Sequence, residues 1–242
     1  MSKDSIEAYD IPERIESYDA DMDVMHPLRH EMIEVALRLP SFERDASMTA
    51  LDLGAGTGLF TQRLLERFPN ARVIAVDGAA SMVDVAAERL GDLRERVEFR
   101  VGDFRNLDAL LDPKEKGRLV ISSYALHHLD AGAKSAVIDR CVEFLEPGGW
   151  FLNADLVAAP SEELAGRYQQ LRVEGILERA APGDARFRDA ETTHEFLRDL
   201  EATEGDQPLA LEQDLEILRA SGLSNTAVFW HEFREAVTGG IR

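Results

Sequence analysis

The chain has 242 residues and 45% hydrophobic side chains, enough for one α/β domain with a modest insertion and a buried core. A net charge of −19, with no Lys/Arg cluster, repels a polyanion, so no nucleic-acid partner is expected. No apolar run approaches the roughly 20 residues of a membrane span, the N-terminus lacks the regions of a secretory signal, and Cys141 is the single cysteine, so a cytoplasmic protein is expected, with no membrane partner.

The first 40 residues read as helical and amphipathic, with Ile33, Ala36 and Leu37 forming one stripe before Pro40. The run Leu51-Asp-Leu-Gly-Ala-Gly-Thr-Gly-Leu-Phe60 then reads as a short buried strand, about Ala50–Leu53, that turns on Gly54, Gly56 and Gly58 into a helix. Glycines here let a ligand approach bare backbone and a helix N-terminus. Phe60, Leu64, Leu65 and Phe68 recur at helical spacing and define that helix. A second strand, Arg72–Val76, ends at Asp77, 19 residues after Gly58, where a ribose diol would find an acceptor pair.

A helix over Ser81–Leu90 starts at a serine cap. Strands follow at Val97–Val101 and Arg118–Ser122, then a helix from about Gly132 to Leu145 that places Cys141 on its apolar face and stops at Pro147-Gly-Gly149. Trp150–Asp155 is the fifth strand. Residues 158–207 carry helical patterns, including Leu164–Ala180, and a Pro182-Gly183 break, without a clear strand; they read as a helical cap insertion. A helix over 209–221 and two short strands, Asn225–Trp230 and Phe233–Val237, complete the chain as an antiparallel pair. The β-α alternation predicts a Rossmann-like, doubly wound seven-stranded sheet, mostly parallel with the last strand antiparallel.

The glycine run departs from the dinucleotide fingerprint, because Leu59 stands where G-x-G-x-x-G needs its last glycine. It resembles instead motif I of the class I S-adenosylmethionine (SAM)-dependent methyltransferases. Val73–Met82 resembles the second motif of that family and Val97–Phe104 the third. Leu119–Leu129, with its Leu-His-His-Leu ending, resembles the fourth, and Leu145–Phe151 resembles the Pro-Gly-Gly turn before strand five. The resemblance covers residues 48–157 as a SAM-binding core and, more weakly, 208–242 as a terminal helix and strand pair; residues 1–40 correspond to an N-terminal helical lid.

The resemblance implies SAM as cofactor and a small molecule as methyl acceptor. It implies cofactor contacts from Asp52, Gly54, Ala55, Gly56 and Gly58, and from Asp77 and Gly78 toward the ribose. Met82, Asp103 and Phe104 would surround the adenine, with Ser122 beside them; Tyr18, His26 and Tyr124 would face substrate from the lid and strand four, with Tyr9 a further lid candidate. His127 and His128 suit a general base or substrate positioning, because imidazole titrates near neutrality and a hydroxyl or carbon acid must lose a proton. No spacing among the six histidines and the cysteine suggests a zinc site, so no metal is expected. A carboxy-SAM synthase-like enzyme or a non-catalytic SAM-binding partner protein are the alternative readings, and exposed apolar faces on the terminal strands could pair two chains as a homodimer.

Overall fold

The computed structural model describes residues 12–242; Tyr9 and the start of the expected lid lie outside the described residues. Seven strands, β1 (Met48–Leu53), β2 (Ala71–Asp77), β3 (Val97–Val101), β4 (Gly117–Ser123), β5 (Leu145–Leu156), β6 (Ser224–Glu232) and β7 (Glu235–Ile241), form one sheet in the order β3-β2-β1-β4-β5-β7-β6. β7 runs antiparallel to both of its neighbours, β5 and β6, and the remaining pairs are parallel. The chain winds outward from β1 to β3 and then returns to β4 on the other side of β1. That reversal opens a crevice at the carboxyl ends of β1 and β4.

Helices cover both faces. α1 (Pro12–Met25), α2 (Arg29–Arg38) and α3 (Leu59–Arg67) precede β2; α4 (Ala80–Leu90) and the short α5 (Leu107–Leu110) flank β3. α6 (Ala131–Phe144), α7 (Glu162–Arg179), α8 (Ala190–Glu204) and α9 (Leu211–Ala220) follow β4. Strand alternation splits the core into two layers. Met48 and Ala50 of β1 pack with Ile33, Leu37, Phe60, Leu64 and Phe68, while Leu51 and Leu53 pack with Val137, Ile138, Cys141 and Leu218 on the opposite face. Each of the larger of these, the Val, Leu, Ile, Phe and Met side chains, contributes about 1.5–3 kcal/mol on leaving water. Val173, Ile176, Phe187 and Leu197 make a third, smaller core within residues 158–207.

Four boundaries differ from the sequence reading, and each difference has a local cause. The N-terminal helical stretch is two helices, because Pro27 disfavours helical backbone at the residue before it and ends α1 at Met25. α4 starts at Ala80, ahead of Ser81, and has no serine cap: the Asp77 carboxylate accepts the Ala79 N–H at 2.9 Å and sets the start. β5 begins at Leu145, where it already pairs with Gly117, pauses at the Pro-Gly-Gly turn, and resumes with Trp150 opposite Leu119.

β7 likewise begins after a two-residue turn, Phe233-Arg234, and runs on to Ile241 through Gly239 and Gly240. A Cβ at Gly239 would stand 2.1 Å from the Phe151 carbonyl oxygen, so the close approach of β5 and β7 requires glycine there.

Candidate active site

The glycine turn and Asp77 form one unit. Asp77 Oδ2 accepts the Gly56 N–H at 2.7 Å and Oδ1 accepts the Ala79 N–H at 2.9 Å, so the carboxylate at the end of β2 ties the turn after β1 to the start of α4. Burial pushes the Asp77 carboxyl up, and the Ala79, Gly56 and Gly78 amides work against that by bonding to its charged form. Gly54 has φ +67, and a Cβ on it would meet Ala125 Cβ at 2.4 Å; the turn can lie against the loop after β4 only with glycine in that place.

Around this unit lies a narrow cleft whose walls include Tyr18, Gly54, Gly56, Asp77, Gly78, Met82, Phe104, Tyr124 and His128. An adjoining cleft on the other side of the turn is bordered by Asp52, Ala55, Thr57, Arg29 and again Tyr18 and Tyr124. Asp52 itself is spent on bracing the turn: its carboxylate, 1% exposed, accepts the Thr61 hydroxyl at 2.5 Å. Burial lifts its pKa to about 7 against the opposing Thr61 hydrogen bonds.

Three of the expected cofactor residues are not among those lining either cleft. Gly58 is the N-cap of α3. Asp103 accepts the backbone N–H of Arg105 at 2.9 Å and is also paired with the Arg105 guanidinium, so its charge is already engaged. Ser122 is fully buried and donates to the Leu53 carbonyl at 2.9 Å; strand alternation gives the cleft to its neighbour Ser123.

A larger cavity of about 360 Å³ opens next to the cleft, between α1, the loops after β4 and β5, and residues 158–207. Tyr18 and Tyr124 belong to its wall as well as to both clefts. Its polar lining includes His26, His127, Arg172, Arg186, Glu201 and Asp206, with the further acids Asp21 and Glu204. Arg172 and Arg234 both donate to Oε1 of Glu201, at 2.5 and 2.7 Å, so two guanidinium groups share one carboxylate oxygen.

His127 and His128 sit together, ring centroids 4.0 Å apart, in the turn after β4. His127 Nδ1 lies 2.6 Å from Asp155 Oδ1 and Nε2 lies 3.4 Å from Asp206 Oδ1, while His128 Nδ1 faces the same Asp206 oxygen at 3.2 Å. Burial alone would lower the His127 pKa, but the two carboxylates outweigh it and raise the value to about 9. Burial and the neighbouring imidazolium push His128 down to about 4. His127, His128 and Asp206 thus bring three metal-ligand side chains within 4.8 Å of one another, which the spacing in the sequence does not disclose, because Asp206 comes from the insertion.

Also in the cavity lining, His26 Nδ1 lies 2.7 Å from Glu235 Oε1, and the Tyr124 hydroxyl donates to that same oxygen at 2.8 Å. Tyr124 takes φ +48 immediately after β4, an uncommon backbone for a tyrosine, and so reaches Glu235 at the start of β7.

Residues 50–149 match the family model of a methyltransferase domain. An uncharacterized methyltransferase from Geobacillus thermodenitrificans is 30% identical over 78% of this chain and 84% of its own length. The chain is a class I SAM-dependent methyltransferase. A malonyl-[acyl-carrier protein] O-methyltransferase from Priestia megaterium is 26% identical over 71% of the chain, which spans about 59% of that relative. The structure of a DhpI–SAH complex superimposes with a TM-score of 0.62 at 22% identity, covering 99% of this chain and 96% of the other.

SAM is therefore the cofactor of this methyltransferase, and the cleft fits such a group. The bare backbone of the glycine turn, a half-buried carboxylate at the end of β2 and the apolar Met82 and Phe104 meet in one groove. What the sequence reading missed in the enzyme is the set of charged partners: Asp19, Asp155, Arg172, Asp206 and Glu235. No motif contains them. Asp155 and Glu235 carry the one legible signal, that each stands at the end of a strand opening on the crevice.

Proposed function

We propose that the enzyme transfers the sulfonium methyl of SAM to a small-molecule acceptor held in the 360 Å³ cavity. The observation that carries this reading is the shared wall: Tyr18 and Tyr124 border both the glycine-turn cleft and the cavity, so an acceptor there would lie next to the cofactor. SAM supplies an already activated methyl group. Asp77 keeps acceptor capacity for a ribose diol beyond its amide contacts, and Met82 and Phe104 flank the adenine. α1 and α2 act as a lid and residues 158–207 as a cap. Together they hold the acceptor in line with the methyl and keep water out, and orientation of this kind can lower a barrier by about 7–11 kcal/mol.

His127 serves as a fixed positive charge in this scheme, since an imidazolium between Asp155 and Asp206 has no lone pair to offer. A cytoplasmic location and a single functional domain belong to the same reading.

A second reading, a carrier-bound acyl acceptor, draws on the Priestia relative. Calorimetric titration with SAM and with its demethylated product SAH, followed by assay of SAH formation with free and carrier-bound acceptors, tests both. Absence of saturable binding would remove the transferase reading. Turnover confined to carrier-bound acyl groups would favour the second.

A further inference from the structure

Resting on the small-molecule reading above, we propose that His26 is the general base of this enzyme, with Glu235 as its positioning residue, and that the acceptor atom is the oxygen of a hydroxyl group. Three imidazoles border the site, and their surroundings separate them. His127 has a carboxylate at each ring nitrogen, at 2.6 and 3.4 Å. His128 stacks on that cation and faces Asp206. His26 has one nitrogen engaged: Nδ1 meets Glu235 Oε1 at 2.7 Å, while Nε2 makes no hydrogen bond among the described residues and belongs to a side chain that lines the cavity.

The protonation pattern follows from the setting. Burial lowers the His26 pKa from 6.5 and outweighs the Glu235 contact, so the ring is neutral near pH 7. Glu235 would be raised by burial, but the bonds from His26 and Tyr124 hold it ionised. A neutral imidazole beside a carboxylate carries its proton on Nδ1 and presents a lone pair at Nε2. Arg172 and Arg179 on α7 and Glu232 and Arg234 at the β6–β7 turn line a second pocket together with His26 and Glu235. Arg172 and Arg234 oppose protonation there, and Glu235 favours it.

Position agrees with that role. The His26 ring stands 4.8 Å from the ring of Tyr124, which borders both the cleft and the cavity. In the step assigned to it, the acceptor O–H gives its proton to His26 Nε2, the freed oxygen pair forms the new bond to the methyl carbon, and the C–S pair stays on sulfur. The imidazolium, facing Glu235, then passes its proton to water. A neutral amine attacks with its own lone pair and a carboxylate is already ionised; among oxygen and nitrogen acceptors a hydroxyl is the group for which a base matters.

The test combines nitrogen-15 NMR of the histidine rings with SAH-formation assays on phenol, benzoate and benzylamine. SAH calorimetry on the wild type comes first, because loss of binding there overturns the transferase reading itself. With binding intact, wild-type His26 should show the Nδ1–H tautomer and titrate below 6.5, and Glu235→Gln should move that titration and the acidic limb of the kcat profile to lower pH. His26→Gln should cut kcat with phenol by about 10²–10⁴ while SAH affinity stays within about two-fold. An Nε2–H tautomer overturns the proposal without any variant. So do unchanged phenol turnover in His26→Gln and SAH formation from benzoate or benzylamine but never from phenol, as does bound SAH with no phenol turnover at all.

Discussion

Asp19 on α1 accepts the Thr57 hydroxyl at 3.0 Å, which binds the N-terminal helix directly to the glycine turn. The same carboxylate accepts from Arg29 at 3.0 Å and is paired with Arg89 of α4, whose Nε donates to the Thr57 carbonyl at 2.7 Å. One acidic side chain therefore fastens α1 to the turn, to the start of α2 and to the far end of α4. Asp19→Ala should free α1 from the turn and weaken SAH binding several-fold, about 1 kcal/mol for lost hydrogen bonds to a charged group. Calorimetry reads the affinity, and proteolysis near Met25 should accelerate in the variant and be suppressed by saturating SAH.

Asp77→Ala should cost more. It removes a ribose acceptor and also leaves the Gly56 and Ala79 N–H groups without their carboxylate. The expected loss of cofactor affinity is about 1–3 kcal/mol. Asp77→Asn, which keeps the side-chain shape, should recover only part of it. Wild-type affinity in the alanine variant would mean that the ribose is held elsewhere.

His127 makes stability fall on the alkaline side. Its folded-state pKa is raised to about 9, above the 6.5 of the unfolded chain, so the stabilisation is fully present below 6.5 and is lost as pH rises through 9. The size is about 3 kcal/mol at one pKa unit per 1.36 kcal/mol. Asp155 and Asp206, held below the usual carboxylate range by the same histidine despite their burial, act in the opposite direction at acid pH. Chemical denaturation across the range should show an alkaline decline in the wild type that His127→Gln abolishes.

Lys134 of α6 and Asp214 of α9 form an ion pair at 2.8 Å with the lysine 1% exposed. Asp214→Ala would leave a buried cation without a partner and should destabilise the fold by about 3–5 kcal/mol. Replacing both residues together, Lys134→Met with Asp214→Leu, should restore most of that. Denaturant midpoints of the single and double variants provide the check, with SAH affinity little changed because neither residue borders the cleft.

The fold and the cofactor side were legible in the chain because they depend on local chemistry. Alternating and helical apolar periods mark each strand and helix, and the glycine turn, Asp77 and Met82 lie within a stretch of the chain shorter than forty residues. The acceptor side was not legible. His26 and Glu235 are 209 residues apart, and His127 meets Asp206 from the insertion, so no spacing rule connects them. Leu-His-His-Leu suggests a base or a substrate-positioning group at His127 and His128, and which of these an imidazole becomes depends on carboxylates that lie far away in the sequence. For Ser122 and Asp103 the reason is nearer: which face of a strand reaches a cleft, and whether an adjacent arginine closes on a carboxylate, are settled by packing. The sequence by itself determined the sheet, the family and the cofactor, since those rest on backbone geometry and short-range patterning. Only the tertiary structure decided the protonation of each histidine, because desolvation and the charge of distant neighbours exist only once the chain is folded.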